Sequence, residues 1–351
     1  AQGAELTYET DGQTFHLALS FESQGGAPFF GQPLFTVEVR EDQVRGQVSS
    51  SRVFVDNGGG VDKKNEFLAL VDHYEVTTTP CDGITLLQID ETCIPTNSNA
   101  AIEAIPSYHT EQLKEGEGDV IWTIYLKNGD TLRLRHTVKI TRVPVVTLTE
   151  NDYPMATVDD LNVLLDTLAH EADRKSVYIL QLPAVTYEGG LTMKNFCCDL
   201  VGSEGCTTFT GTVTIATRGI HPSNITNVRF VGDGTGIGLS ASEGAFLHRC
   251  TFENWEIGAY GGLGSWVNAT GCTFRGNGVG LWLDNRGGAT CSGSYYGDSV
   301  YEDNGTAVRI AAMPGTETLD FNNCVFRGNG VNVENTAGYA VDLSQIVTAD
   351  N

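Results

Sequence analysis

An all-β chain in two parts is predicted by three observations. Alternating apolar runs flank an Asn-Gly turn in the first half, an aromatic residue returns every 22 to 27 positions in the second, and a single capped amphipathic helix lies between them. The first part reads as an antiparallel β-sandwich-like domain over residues 1–142. A linker follows at 143–156, and the second part, 157–351, reads as a stack of parallel β-coils opened by a capping helix at about 157–170.

In the first part, Phe15 to Phe21 and Leu34 to Val39 alternate apolar with small or polar positions. Val120 to Leu126 runs into Lys127-Asn128-Gly129-Asp130 and then Thr131 to Ile140, which is a hairpin pattern. Short strands with turn residues between them suggest a sandwich. His16, His73, His109 and His136 are scattered and read as surface or packed histidines.

Pro144 and Pro154 mark the linker. Thr157 followed by Asp160 is a capping-box pattern, and Leu161, Leu164, Leu165 and Leu168 share one helical face. The run ends near His170 and Asp173, read as a solvated helix end rather than a metal pair. Val177 to Leu182 is the next strand, followed by Pro183 and a Glu188-Gly189-Gly190 turn.

The repeat is carried by Phe230, Phe252, Phe274, Tyr301 and Phe326, spaced 22, 22, 27 and 25 residues apart. Three of them lead into Asn277-Gly278, Asn304-Gly305 and Asn329-Gly330, steps that suit a bend with positive φ. Such a period without helical stretches fits stacked coils about 4.8 Å apart, in which equivalent residues form ladders. Val228, Cys250, Cys272, Ser299 and Cys324 make one ladder, and Ile237, Ala259, Leu281, Val308 and Val333 another; both suit an interior. One position after the aromatic, Val231, Glu253, Arg275, Glu302 and Arg327 alternate in sign beyond the first and read as an outward ion-pair ladder. Exposed pairs of this kind contribute only about 0–1 kcal/mol each.

Nine cysteines cannot all close within one chain. Cys81 and Cys93 are the candidate pair in the first half; Cys197, Cys198 and Cys206 cluster later. The repeat-position cysteines read as small buried hydrophobes. Without a CxxC pair, a zinc site has little support. The 351 residues hold 21 basic and 44 acidic groups, and both halves share the excess, so a nucleic-acid backbone is repelled. A polyanionic glycan is repelled too unless a cation bridges it. No apolar run of about 18 residues encodes a membrane span. Ala1-Gln2-Gly3-Ala4 reads as a mature or trimmed start.

The Cys-Thr-Phe and Asn-Gly repeats at 250–254, 272–278 and 324–330, with the capped helix and the Ile179 to Gly189 segment, resemble the right-handed parallel β-helix, pectin-lyase-like superfamily, over roughly 157–345. The resemblance implies an N-terminal helix plugging the coil, and a family of pectate lyases, polygalacturonases, other polysaccharide-active enzymes, phage tailspikes and surface adhesins. Polygalacturonase-like members use Asn-Thr-Asp, Asp-Asp, Gly-His and Arg-Ile-Lys segments. Here Arg309-Ile310 runs into Ala311, and the Asp159-Asp160 pair lies in the helix. Pectate-lyase-like members need calcium carboxylates and a base; Asp233, Asp284 and Asp298 are present without a matching spacing. No catalytic set and no metal site is assigned, and no cofactor is expected, calcium entering only if the chain is a lyase.

Eight residues after the aromatic, Tyr260, Trp282, Arg309 and Glu334 alternate out of the aliphatic ladders and point outward. Two aromatic rungs are expected to give a flat platform for sugar rings, with Arg309 and Glu334 hydrogen-bonding beside it; Trp255 and Trp266 near turns extend such a surface. Asn224-Ile225-Thr226, Asn268-Ala269-Thr270 and Asn304-Gly305-Thr306 are N-glycosylation sequons. The expected function is recognition of a polysaccharide or cell-surface glycan by a secreted or cell-surface protein. A polysaccharide lyase or glycoside hydrolase and a structural spacer are the alternatives.

Overall fold

The computed structural model describes residues 3–10, 13–22, 29–42, 45–47, 51–54, 60–78, 84–90, 100–109, 116–171, 176–216, 222–262, 265, 267–285, 296–312, 319–338 and 340–348. The chain divides into two compact units, Ala1–Pro144 and Val145–Asn351.

The first unit holds a six-stranded sheet in the order Gly3–Thr10, Gln13–Glu22, Phe29–Arg40, Thr131–Val143, Gly116–Leu126, Val71–Thr78. The expected hairpin is present, with Thr131 opposite Tyr125. Gly129 takes the left-handed backbone (φ 93°) at its tip, and the Asp130 amide donates to Asn128 Oδ1 at 3.0 Å. Alternation buries Val120, Trp122, Ile124 and Leu126 on one face. The antiparallel expectation needs correction at one pairing: Phe29–Arg40 runs parallel to Thr131–Val143, joined by a long excursion that no local pattern reveals. That excursion includes an unanticipated helix, Gly60–Leu70, and strands of a smaller antiparallel sheet. Phe67 of the helix and Val53 and Ile102 of the smaller sheet pack with Trp122 and Ile124 in one core. Of the four histidines, His136 is buried and His73 is exposed and stacked on Tyr125 at 4.3 Å; the side chains of His16 and His109 lie outside the described residues.

The second unit is a right-handed parallel β-helix. Its first strand, Val145–Leu148, pairs in parallel with Val177–Gln181, so part of the segment expected as a linker belongs to the coil. The capping box forms as expected: the Thr157 amide donates to Asp160 Oδ2 at 2.9 Å and the Asp160 amide to Thr157 Oγ1 at 3.1 Å. The helix Val158–Glu171 buries Val158, Leu161, Leu164, Leu165 and Leu168 against the first coils. Tyr187 Oη donates to the Met155 carbonyl at 2.6 Å, tying the approach to the helix to the first aromatic rung.

Among the described residues three long parallel sheets wrap the interior, and a fourth of two strands pairs Leu319–Asp320 with Val341–Asp342. On one, Tyr187, Phe209, Phe230, Phe252, Phe274, Tyr301 and Phe326 stack face to face, centroids 4.5–6.0 Å apart, all essentially buried. Burying each ring contributes roughly 1.5–3 kcal/mol. Cys250, Cys272 and Cys324 are buried free thiols, each bonded to a carbonyl of the preceding coil, and Ser299 Oγ donates to Ala269 O at 3.1 Å in the same ladder. Cys81 and Cys93 lie outside the described residues.

The alternating charges pair as expected. Glu253 accepts from Arg229 and Arg275, and Glu302 from Arg327 at 2.9 Å. The Arg327 hydrogen bond, helped by the charges of Arg327 and Arg275, holds the Glu302 carboxyl below its usual range.

The Asn-Gly expectation is corrected. The left-handed residue is the one before the asparagine: Gly276 (φ 65°), Asp303 (53°) and Gly328 (64°), with Asn254 (56°) at the equivalent place before Trp255. The asparagines turn inward instead as a buried amide ladder, Asn277 to Asn304 to Asn329, each link 3.0 Å. The following glycines are needed for coil contact, since a Cβ on Gly278, Gly305 or Gly330 would sit 2.7 Å from the carbonyl oxygen of the coil beneath.

Candidate functional site

The outward ladder occupies the sheet built from Leu191–Met193, Val213–Ile215, Ile237–Ala241, Ile257–Gly261, Val279–Asp284, Thr306–Ala312 and Val331–Asn335. Because the coils are in register, Thr192, Thr214, Ser240, Tyr260, Trp282, Arg309 and Glu334 fall in one column. Their sheet neighbours Leu239, Ala259, Leu281 and Val308 point inward and are fully buried; Leu239 takes the place in this ladder expected for Ile237, which pairs with Ile257 instead, and Val333 is only partly buried. The four residues singled out from the sequence are therefore neighbours, all partly exposed.

Their geometry differs from a flat platform. The Tyr260 and Trp282 rings are 5.6 Å apart and inclined at 83°. The Arg309 guanidinium lies over the Trp282 ring, 4.8 Å from its centroid, and Arg309 Nε donates to Glu334 Oε2 at 2.8 Å. The column thus packs on itself: cation on indole, carboxylate on cation. Parallel strands bring neighbouring rungs within about 5 Å, so large side chains fill the space between rungs. Trp282 Nε1 is buried with no hydrogen-bond partner among the described residues.

Two further residues, beyond the four that the sequence pattern singles out, shape this patch. The carboxylate Asp284, two positions past Trp282 on the same strand, accepts from Tyr260 Oη at 3.2 Å. Gly262 lies two positions past Tyr260, and a Cβ there would come 2.8 Å from the Tyr260 ring. The period-two spacing from Tyr260 and Trp282 was the available signal for both.

Other expected positions fall elsewhere. Trp255 is buried, its indole seated on Gly232 and Gly238, and does not extend an outer surface; Trp266 lies outside the described residues. Asp233 closes a turn onto Thr235, and Asp298 sits at a left-handed turn position (φ 57°). Among the described residues no group of three His, Cys, Asp or Glu side chains is gathered as a metal would need. Asp159-Asp160 is in the helix, as expected, and His170 bonds the Asp166 carbonyl at 2.7 Å. The sequon asparagines are structural: Asn224 donates to Asp199, Asn268 is buried, and Asn304 is inside the amide ladder. No helix among the described residues is long and apolar enough to cross a membrane.

Comparison with solved structures returns proteins of low identity. A Yersinia enterocolitica family 28 exopolygalacturonase is 11% identical over 76% of this chain and 79% of its own, with a TM-score of 0.23. Extracellular cadherin domains 1–4 of protocadherin gamma B7 are 16% identical over 42% of this chain, TM-score 0.19. A 2,6-sialyltransferase from Photobacterium sp. JT-ISH-224 is 7% identical over 61% of this chain and 41% of its own, TM-score 0.20. This chain spans 37% of the protocadherin fragment. Scores this low carry no argument about function. No curated protein matches. Residues 201–346 match a family model described as a right-handed β-helix region, and the coils described above span those residues.

Proposed function

We propose that this protein recognises a polysaccharide or cell-surface glycan without cleaving it, as a secreted or cell-surface protein. The observation that carries the reading is the outward column of Tyr260, Trp282, Arg309 and Glu334 on successive coils. Such a column offers a polymer ring edges, a cation and a carboxylate at the repeat of the coils. The carboxylates near it are engaged in holding neighbours: Asp284 holds Tyr260, and Glu334 holds Arg309. That arrangement suits binding better than proton transfer, for which a carboxyl must be released to the reacting atom.

The test is co-elution of the whole chain with a panel of neutral and acidic polysaccharides, with and without calcium. A polymer of unchanged length that travels with the protein, and no longer does so with Trp282→Ala, supports the reading. Shortened polymer replaces it with a hydrolase or lyase, an unsaturated product marking the lyase. No interaction across the panel leaves the spacer.

A further inference from the structure

We infer that Tyr260, Gly262, Trp282 and Asp284 form a subsite for one neutral hexopyranose ring; this rests on the glycan-binding reading above.

The argument starts from Gly262. A glycine is commonly kept for a left-handed backbone, but Gly262 is not among the positive-φ residues. What it accommodates is a side chain. A Cβ at this position would lie 2.8 Å from Tyr260 Cε1, 3.4 Å from Cζ and 3.5 Å from Oη. The phenol ring therefore lies along its own strand, over the main chain of Gly262, instead of standing away from the sheet. Its hydroxyl reaches the next coil and donates to Asp284 Oδ2 at 3.2 Å. Glycine and carboxylate together hold the ring down.

Trp282 meets that ring at 83°, with 5.6 Å between centroids. Two aromatic planes at nearly a right angle make a corner, and Arg309 braces the indole from the following coil with Glu334 behind it. A pyranose ring has a face of apolar C–H groups and a rim of hydroxyls. One plane of the corner takes the C–H face, the other limits how far the ring slides, and the Asp284 carboxylate, an acceptor with several lone-pair sites, takes rim hydroxyls.

The charges select a neutral sugar. The cation in the column is already compensated by Glu334. Asp284 stands beside the Tyr260 hydroxyl, and the chain carries a formal charge of -23. A uronate or sulfated ring entering this corner meets the like charge of Asp284 and of the chain as a whole.

The experiment measures calorimetric binding of neutral β-linked glucan and galactan oligosaccharides, with polygalacturonate as the anionic comparison, to the whole chain and to Gly262→Ala and Asp284→Asn. Neutral oligosaccharides are expected to bind and polygalacturonate not to. Gly262→Ala, which lifts the Tyr260 ring, and Asp284→Asn, which keeps the shape and removes the charge, are each expected to weaken binding by roughly tenfold. Asp284→Asn guards against a folding defect in the glycine variant, and an unchanged melting temperature is required of both. Wild-type affinity in both variants overturns this subsite while leaving glycan binding in place. Preference for polygalacturonate overturns the neutral class. Absence of binding to every polymer removes the subsite and the glycan reading together.

Discussion

Asn277 Nδ2 donates to Asn304 Oδ1 at 3.0 Å inside the turn of the coil, and Asn304 Nδ2 does the same to Asn329 Oδ1. Each oxygen also accepts the main-chain amide of the preceding asparagine, and each nitrogen donates to the carbonyl of the aromatic rung beneath: Asn277 to Phe252, Asn304 to Phe274, Asn329 to Tyr301. Replacing Asn304 by alanine strands the main-chain amide of Asn277, takes this side chain's bond from the Phe274 carbonyl, and leaves the Asn277 side-chain amide with only its Phe252 partner. Unpaired buried groups cost about 1–3 kcal/mol each, so a loss of about 3 kcal/mol is expected. Asn329→Ala, nearer solvent, is expected to lose roughly half as much. Denaturant titration of both variants measures this, and equal small losses would show that the ladder adds little.

Gly276 and Gly278 are two residues apart and are needed for different reasons. Gly276 has φ 65° with open space around it, and the equivalent positions carry Asn254 and Asp303 in the same conformation. Gly276→Asn is therefore expected to change stability by less than about 0.5 kcal/mol. A Cβ on Gly278 would stand 2.7 Å from the Glu256 carbonyl oxygen. Gly278→Ala must push two coils apart and is expected to cost roughly 1–3 kcal/mol. Thermal melts of the two variants side by side decide the matter; a harmless Gly278→Ala would mean that the coils yield.

Tyr301 stands in a row otherwise filled by phenylalanine from Phe209 onward, and its hydroxyl is buried without a hydrogen-bond partner among the described residues. It stacks between Phe274 and Phe326 at 5.0 and 4.9 Å. Burial also pushes the phenol well above its ordinary pKa. Tyr301→Phe keeps the stack and removes the stranded group, so stability is expected to rise by about 1 kcal/mol. A lowered melting temperature would reveal a bond to a buried water.

Among the described residues of the first unit, His136 is a histidine whose titration burial shifts. Burial lowers its pKa from 6.5 to about 4. The folded state thus favours the neutral imidazole; its full contribution is present above about 6.5 and is lost as pH falls toward 4. The linked loss approaches about 3 kcal/mol at the acid end. Nuclear magnetic resonance titration should place the His136 midpoint near 4, and a midpoint close to 6.5 would remove the effect.

Much of the second unit was legible because a coil repeats a position every 22 to 27 residues. The aromatic and cysteine ladders, the paired charges and the helix cap needed only the period and the polarity of each residue. The first unit offered no such period. The parallel pairing of Phe29–Arg40 with Thr131–Val143 joins segments about a hundred residues apart, and nothing local encodes which strand a strand will meet. The Gly60–Leu70 helix lacks the clear apolar stripe that exposed the helix at Val158–Glu171.

By itself the sequence determined which residues face inward and outward along most of the repeat strands, since alternation along a strand and the period between coils work together, while Ile237, Trp255 and the turn asparagines escaped that pattern. It also located Tyr260, Trp282, Arg309 and Glu334 in a single outward column. Only the tertiary structure decided what that column becomes. Side chains on adjacent coils compete for the same few ångströms, so the arginine covers the indole, the glutamate holds the arginine, and the tyrosine lies across Gly262 toward Asp284. The same competition set the fate of Trp255, which fills the space left by Gly232 and Gly238 on the coil before it. Register follows from pattern, whereas contact between rungs depends on the shapes of residues more than twenty positions apart.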